Sequence, residues 1–320
     1  MMWVDNLEVI EQQHKAVNTR VKKSKPTKRK MNEWLWGWFL IAPTVLGLII
    51  LNIIPIFQTF YMSFFKSGDF GKRNIFIGLD NYVQMFHDEQ VWYAVLNTLK
   101  YTIIVVPISI AISLVIAVLL NNKFKGRSLY RTIYFIPVVA TPAAIAMVWK
   151  WLYNGQFGLL NVLLHNLGLK AVDWINDPRV ALYSIAIIGI WSAIGYNVVL
   201  LLAGIQEIPK DYYEASTIDG AGPFFQFFNI TLPLLSPTVF FVMVTSFIQS
   251  MQIFDLIYMM VDVTSPAYNK VVSLVYLFYN NSFKYSNKGY GSAIVMLLLV
   301  IIMIITVIQM KVQKKWVNYM

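Results

Sequence analysis

No cysteine occurs among the 320 residues, which excludes a disulfide framework and any thiolate metal site. The only histidines are His14, His87 and His165, too scattered along the chain to point to a metal centre. Charge is scarce: 13% of residues are Asp, Glu, Lys or Arg, where a soluble globular domain has about 25%. The Gly-x-x-x-x-Gly-Lys-Ser/Thr pattern that cradles nucleotide phosphates is missing, so the chain has no P-loop for binding and hydrolysing ATP. A membrane enzyme would need a nucleophile, a carboxylate pair or a metal cluster at the membrane surface. No such constellation is present, and neither catalytic residues nor a cofactor are expected.

Apolar residues, by contrast, make up 58% of the chain. A membrane-spanning helix needs about 20 of them in succession. Trp34 to Phe65 meets that length, as do Leu96–Leu120, Tyr130–Leu152, Val180–Ala203, Ser236–Val261 and Gly291–Met310. The first run is too long for a signal peptide and no small-residue cleavage pattern follows it. The expectation is an all-α polytopic membrane protein with six transmembrane helices over residues 34–320, preceded by a polar tail over residues 1–33 with eight Lys or Arg. The net charge of +10 would elsewhere suggest nucleic acid, but here the basic residues gather at the ends of apolar runs and in the tail. They mark membrane orientation rather than a nucleic-acid partner. Sixteen fall on the side of the termini and ten on the other, which predicts both termini in the cytoplasm. Pro43, Pro55, Pro107, Pro137 and Pro142 lie inside predicted spans, where each can kink or open a helix.

The cytoplasmic loop 205–235 is long and punctuated. Asp211 is placed to cap a helix, with Glu214 three residues on completing a capping box. Gly220 stops that helix, as a residue of positive φ does just past a helix end. The expected product is about two turns, Tyr212 to Asp219. Gly222 breaks the chain, and Pro223 opens a second helix carrying Phe224, Phe225, Phe227 and Phe228. Helix, break and helix together make a rigid projection able to transmit force.

This loop resembles the cytoplasmic Glu-Ala-Ala loop in the membrane subunits of binding-protein-dependent ABC importers. Glu214, Ala215, Ser216, Gly220, Ile230, Leu232 and Pro233 stand at the family's spacings, with Ser216 in place of the second alanine. The likeness extends over roughly Leu35 to Val317 and is nearest to the carbohydrate group. It is carried by Gly78-Leu79-Asp80-Asn81-Tyr82, Asn97-Thr98, Arg131-Thr132-Ile133-Tyr134-Phe135-Ile136-Pro137, Gly158-Leu159-Leu160-Asn161 and Gly289-Tyr290-Gly291-Ser292-Ala293. Glycerol-phosphate permeases share many of these phrases. The resemblance implies a MetI-like permease fold in a bacterial cytoplasmic membrane. It implies as partners a second, homologous permease subunit, an ATPase subunit dimer and an extracytoplasmic solute-binding protein. It further implies that Tyr212, Tyr213, Glu214, Ala215, Ser216, Asp219, Gly220 and Ala221, with Ile230, Leu232 and Pro233 behind them, form the coupling element that docks on the ATPase.

A solute path is expected where polar and aromatic groups interrupt the apolar runs. Trp191, Ser192, Tyr196 and Asn197 cluster in the fourth span, and Gln249, Gln252 and Asp255 recur every three residues along one face of the fifth. Aromatic rings and amide groups supply the stacking and hydrogen bonding that a sugar requires. The same side chains could instead bond neighbouring helices at about 0.6 to 2 kcal/mol per contact, and Asp255 reads as a rim position near the outer end. The expected activity is import of a sugar or oligosaccharide by alternating access, driven by ATP hydrolysed on a separate subunit. The rivals are import of glycerol phosphate or another small polar solute, and an ion-driven carrier. An ion-driven carrier usually places paired acids near the membrane midplane, whereas Asp255 is the sole acid well within a span.

Overall fold

The computed structural model describes residues 28–68, 74–121 and 125–317. The basic tail up to residue 27 lies outside the described residues. The chain divides into two compact units between Gln58 and Thr59. In the first, helix α1 (Lys28–Leu48) begins inside the stretch read as tail and passes through a π-helical turn, Ile49–Ile53, into α2 (Ile54–Met62). Pro55 lacks an N–H, so its turn cannot close in the ordinary way. Just before it, Ile54 N bonds to the Ile49 carbonyl, the wider spacing of a π-turn.

In the second unit a two-residue antiparallel ladder pairs β1 (Phe65–Lys66) with β2 (Ile75–Phe76). Helices α3 (Asp80–His87), α4 (Glu89–Asn121), α5 (Arg127–Val139), α6 (Pro142–Leu152), α7 (Leu159–Asn166) and α8 (Ala181–Glu207) follow. The loop then carries α9 (Lys210–Ile218), α10 (Pro223–Gln226) and α11 (Leu232–Leu234), and leads into α12 (Ser236–Met251), α13 (Asp255–Met260), α14 (Tyr268–Val271), α15 (Leu274–Tyr279) and α16 (Lys288–Trp316). Among the described residues, four unbroken helices are long and apolar enough to cross a membrane: Trp34–Met62, Glu89–Asn121, Ala181–Glu207 and Lys288–Trp316. Two bent pairs, Ser128–Val139 with Pro142–Leu152 and Pro223–Leu234 with Ser236–Met251, bring the number to six if each pair is one crossing.

Two expected spans need correction. The third is no continuous helix, because α5 and α6 meet at 103°. A residue before proline is disfavoured in the helical region, and Thr141, preceding Pro142, is extended at ψ 146°. Its hydroxyl oxygen then caps α6 by accepting from Ala144 N at 3.3 Å. The fifth ends at Met251 rather than Val261: Gln252 and Phe254 leave helical geometry and α13 starts afresh at Asp255. Ser273 Oγ satisfies the broken turn by donating to the Ile253 carbonyl at 2.6 Å. Pro107, by contrast, sits inside an unbroken α4.

The core of this unit is built around α4 and α8, which lie along each other with α5 and α12 against them. Close approach is bought by glycine: a Cβ on Gly189 would strike the Tyr101 hydroxyl, and one on Gly195 the Tyr134 carbonyl. Several phrases that carried the family resemblance act as clamps. Buried Asn97 donates to the carbonyls of Asn269 and Val272 at 3.0 and 3.1 Å. Thr98 Oγ1 accepts from Leu274 N at 3.2 Å. Asn81 holds the carbonyls of Ser63 and Phe65, and Asn161 bonds both main-chain groups of Val172 and the indole N–H of Trp174. Each such bond contributes about 1 kcal/mol net, and a clamp left unmade costs more because its buried partners stay unsatisfied.

Candidate functional site

The loop after α8 is held at fixed geometry. Pro209, not Asp211, is the N-cap of α9, and no side chain caps it. The expected capping box therefore does not form. The proline starts the helix two residues early, leaving Asp211 within the first turn, where its charge still favours the positive helix end. The stop is as expected. Gly220 has φ +81°, its N–H bonds to the Thr217 carbonyl at 3.0 Å, and Ala221 N bonds to the Ser216 carbonyl at 2.9 Å. These are the two bonds of a Schellman cap, with Asp219 as C-cap.

Pro223 opens α10, which continues through a π-turn, Phe227–Thr231, into α11. Leu232 and Pro233 are half-buried in that short helix, and Ile230 is half-buried just before it. The two arms of the loop are pinned together. Gln226 Nε2 donates to Ser216 Oγ and Thr217 Oγ1, both at 3.0 Å. The Tyr213 and Thr231 hydroxyls bond at 3.0 Å. Ser216, the one departure from the family pattern, thus uses its hydroxyl as an acceptor that alanine would lack. Tyr212, Glu214, Ala215 and Ile218 remain exposed on the outer side of α9, as do Phe224, Phe225 and Phe228 on the next arm. Sequence reasoning missed Thr217, Gln226 and Thr231; for the last two the signal was uncharged polar groups inside an otherwise aromatic arm.

A cavity of about 320 Å³ lies where the two helix breaks converge, between Ala140 and Pro142 on one side and Gln252 to Leu256 on the other. It gathers Ser192, Gln249, Gln252 and Asp255 from the sequence candidates. The last three do not share one helical face, since the helix ends at Met251, but the break brings them to one cavity all the same. Among the described residues, Asp255 carries the only charge in its lining. Ser192 Oγ is buried and, among the described residues, has no hydrogen-bond partner.

The other three candidates lie outside this lining. Trp191 packs edge-on against Trp149 with centroids 5.8 Å apart, and Tyr196 is half-exposed. Asn197 is buried and accepts from Ser246 Oγ at 3.2 Å, a bond between helices. Tyr101, Ser109, Ser246 and Ser250 line the cavity unforeseen. Ser246, Gln249 and Ser250 do stand at helical spacing on α12, which is the sign that could have found them. From Phe254 in the cavity wall outward, Phe254, Tyr258, Tyr276 and Tyr279 pack ring against ring, with Lys284 Nζ 5.3 Å from the Tyr258 centroid. In the following loop, the amide and hydroxyl of Thr264 hold the Asp262 carboxyl below its ordinary range.

The chain matches, over residues 90–318, the family described as binding-protein-dependent transport system inner membrane component. It is 33% identical to the trehalose/maltose transport system permease protein of Thermococcus litoralis, over 89% of this chain and 96% of the relative. With the sn-glycerol-3-phosphate transport system permease protein of Pectobacterium atrosepticum it shares 30% identity, over 92% of this chain and 99% of the relative. Its fold is that of a chain in the bacterial alginate ABC transporter crystallised with an alginate pentasaccharide-bound periplasmic protein, at a TM-score of 0.79 and 21% identity, covering 90% of this chain and 96% of the other. The protein belongs to the binding-protein-dependent inner membrane components, the membrane permease subunits of ABC importers.

Proposed function

We propose that this subunit imports a neutral sugar or oligosaccharide, with both termini in the cytoplasm and α9 docked on one member of an ATPase dimer. The observation that carries the reading is the pinned loop. Its helix presents Tyr212, Ala215 and Ile218, each three residues from the last, on an exposed face, while the Schellman cap ends it and Gln226 ties it to the arm that leads into α12. Displacement of α9 by the ATPase is thereby passed along α12, whose far end, Gln249 to Met251, borders the cavity. A helix of that length spans about 24 Å, so the path from the docking surface to the solute runs through the pinned arm, the bend of 67° before Ser236 and then the length of α12. Alternating access then follows as a shift between two arrangements of the helices around the cavity.

The cavity chemistry supports a sugar over glycerol phosphate. Its lining offers hydroxyl and amide groups with a single carboxylate and no cation. An anion about 4 Å from Asp255 would be opposed by about 1 kcal/mol even at the dielectric of water. The lone acid also argues against an ion-driven carrier. A second, homologous permease subunit would supply the facing half of the path, and a solute-binding protein would deliver the solute from outside.

The test is mass spectrometry of what co-purifies with the tagged chain in mild detergent, wild type against Glu214→Ala. Recovery of a P-loop ATPase and a second polytopic subunit, with the ATPase weakened by the substitution, is expected. A chain recovered alone, or only with copies of itself, would end the ATP-coupled reading.

A further inference from the structure

Transport leaves unused a second cavity, of about 440 Å³, between α5 and α8. Its walls are apolar along their length, with Phe135 on α5, Val198, Val199 and Leu202 on α8, and Leu120 from α4. Arg131, Thr132 and Gln206 form one end. The other end closes where the helices cross at Gly195, since a Cβ there would strike the Tyr134 carbonyl and the Val138 side chain. From Gly195 to Gln206 the groove runs about 16 Å along α8 at the rise of an α-helix, roughly the depth of one leaflet of a bilayer's hydrocarbon core.

Arg131 is exposed, and among the described residues no hydrogen bond or ion pair holds it. Lys125, also exposed, lies in the turn leading into α5 and adds positive charge near that end. Among the described residues no acidic side chain lines the groove. A guanidinium in the membrane interface, above a channel of aliphatic side chains, matches an amphiphile with an anionic head and an apolar tail.

We propose that this groove holds one anionic phospholipid, its phosphate on Arg131 with Thr132 and Gln206 as further hydrogen-bonding groups, and an acyl chain along Val198, Val199 and Leu202. A route for a sugar would carry polar groups along its length; here Arg131, Thr132 and Gln206 stand at the mouth, and deeper in, among the described residues, Tyr134 alone brings a polar side-chain group. The headgroup would lie beside the end of α8, three residues before α9 begins, at the base of the loop.

The test uses the intact assembly with its partner subunits, stripped of lipid in detergent and titrated with phosphatidylglycerol or phosphatidylcholine under native mass spectrometry. Wild type is expected to retain phosphatidylglycerol about five-fold better, the preference one basic residue confers at an anionic surface, and Arg131→Gln to lose that preference. Because the chain has no cysteine of its own, a photoreactive label on Val199→Cys reports the occupant directly, and lipid adducts are expected. The proposal is overturned by equal retention of the two lipids, by a preference that survives Arg131→Gln, by competition from glycerol 3-phosphate without acyl chains, or by adducts to the second permease subunit.

Discussion

Gly220 offers a clean test of whether the loop acts as a rigid lever. Its φ of +81° lies in the left-handed region, and an added Cβ would meet nothing within 4 Å. Gly220→Ala therefore changes no packing, and its whole effect is backbone strain of about 1 to 2 kcal/mol. That energy favours uncapped conformers by about five- to thirty-fold. Gly220→Asn should be milder, because asparagine tolerates the left-handed region. Gly220→Pro should be the most severe: its ring fixes φ near about −65° and it removes the N–H bonded to Thr217. The assay is ATP-dependent uptake in proteoliposomes holding the complete importer, beside ATPase activity of the same samples. Uptake should fall in the order Asn, Ala, Pro while the subunit remains inserted and ATP hydrolysis becomes uncoupled from transport. Wild-type uptake by Gly220→Pro would refute the lever.

Three further outcomes follow from the same geometry. Gln226→Ala removes one of the two ties between the loop's arms, worth about 1 kcal/mol, and hydrogen exchange at the Gly220 and Ala221 amides should quicken about five-fold; unchanged exchange would mean the cap stands without it. Asp255→Lys reverses the cavity's only charge, so competition by glycerol 3-phosphate against a neutral oligosaccharide should rise by roughly thirty-fold, from about 1 kcal/mol lost and as much gained. An unaltered ratio would remove Asp255 from the solute path. Gly189→Ala pushes a methyl group into the Tyr101 hydroxyl at about 1 to 3 kcal/mol, and thermal unfolding in detergent should show part of that loss recovered by adding Tyr101→Phe. If the double variant is no better than the single one, the close approach of α4 and α8 is not what the glycine serves.

The loop was readable because its instructions are local. Gly220 stops a helix by its own conformational freedom and Pro223 starts one by its own ring, so neither needs the rest of the chain. The capping box failed for a local reason too: Pro209 had already set the helix start before Asp211 could do so. The cavity was harder to read, since hydropathy averages across a break. Tyr130 to Leu152 remains apolar through Thr141, and the 103° turn leaves no trace in that average. Asn197 shows a related difficulty, because the same amide suits a sugar hydroxyl or a neighbouring serine, and only packing assigns it to Ser246. In sequence Ser216 is simply a small residue in place of alanine; its bond to Gln226, ten residues away, exists only once the two arms are packed.

The two broken helices at the cavity divide its chemistry into a heritable and an unalterable part. Where a helix stops, its last carbonyls and first amides lack intrahelical partners, and both stops border this cavity. Main-chain dipoles are the same whatever side chain is attached, so substitutions that leave the two breaks in place leave them unchanged. Descendants of this subunit would keep a wet, hydrogen-bonding site through long divergence, while a few side chains such as Gln249, Gln252 and Asp255 change which cargo is accepted. A fold of this kind keeps the ability to carry polar solutes fixed and leaves the choice among them free to drift.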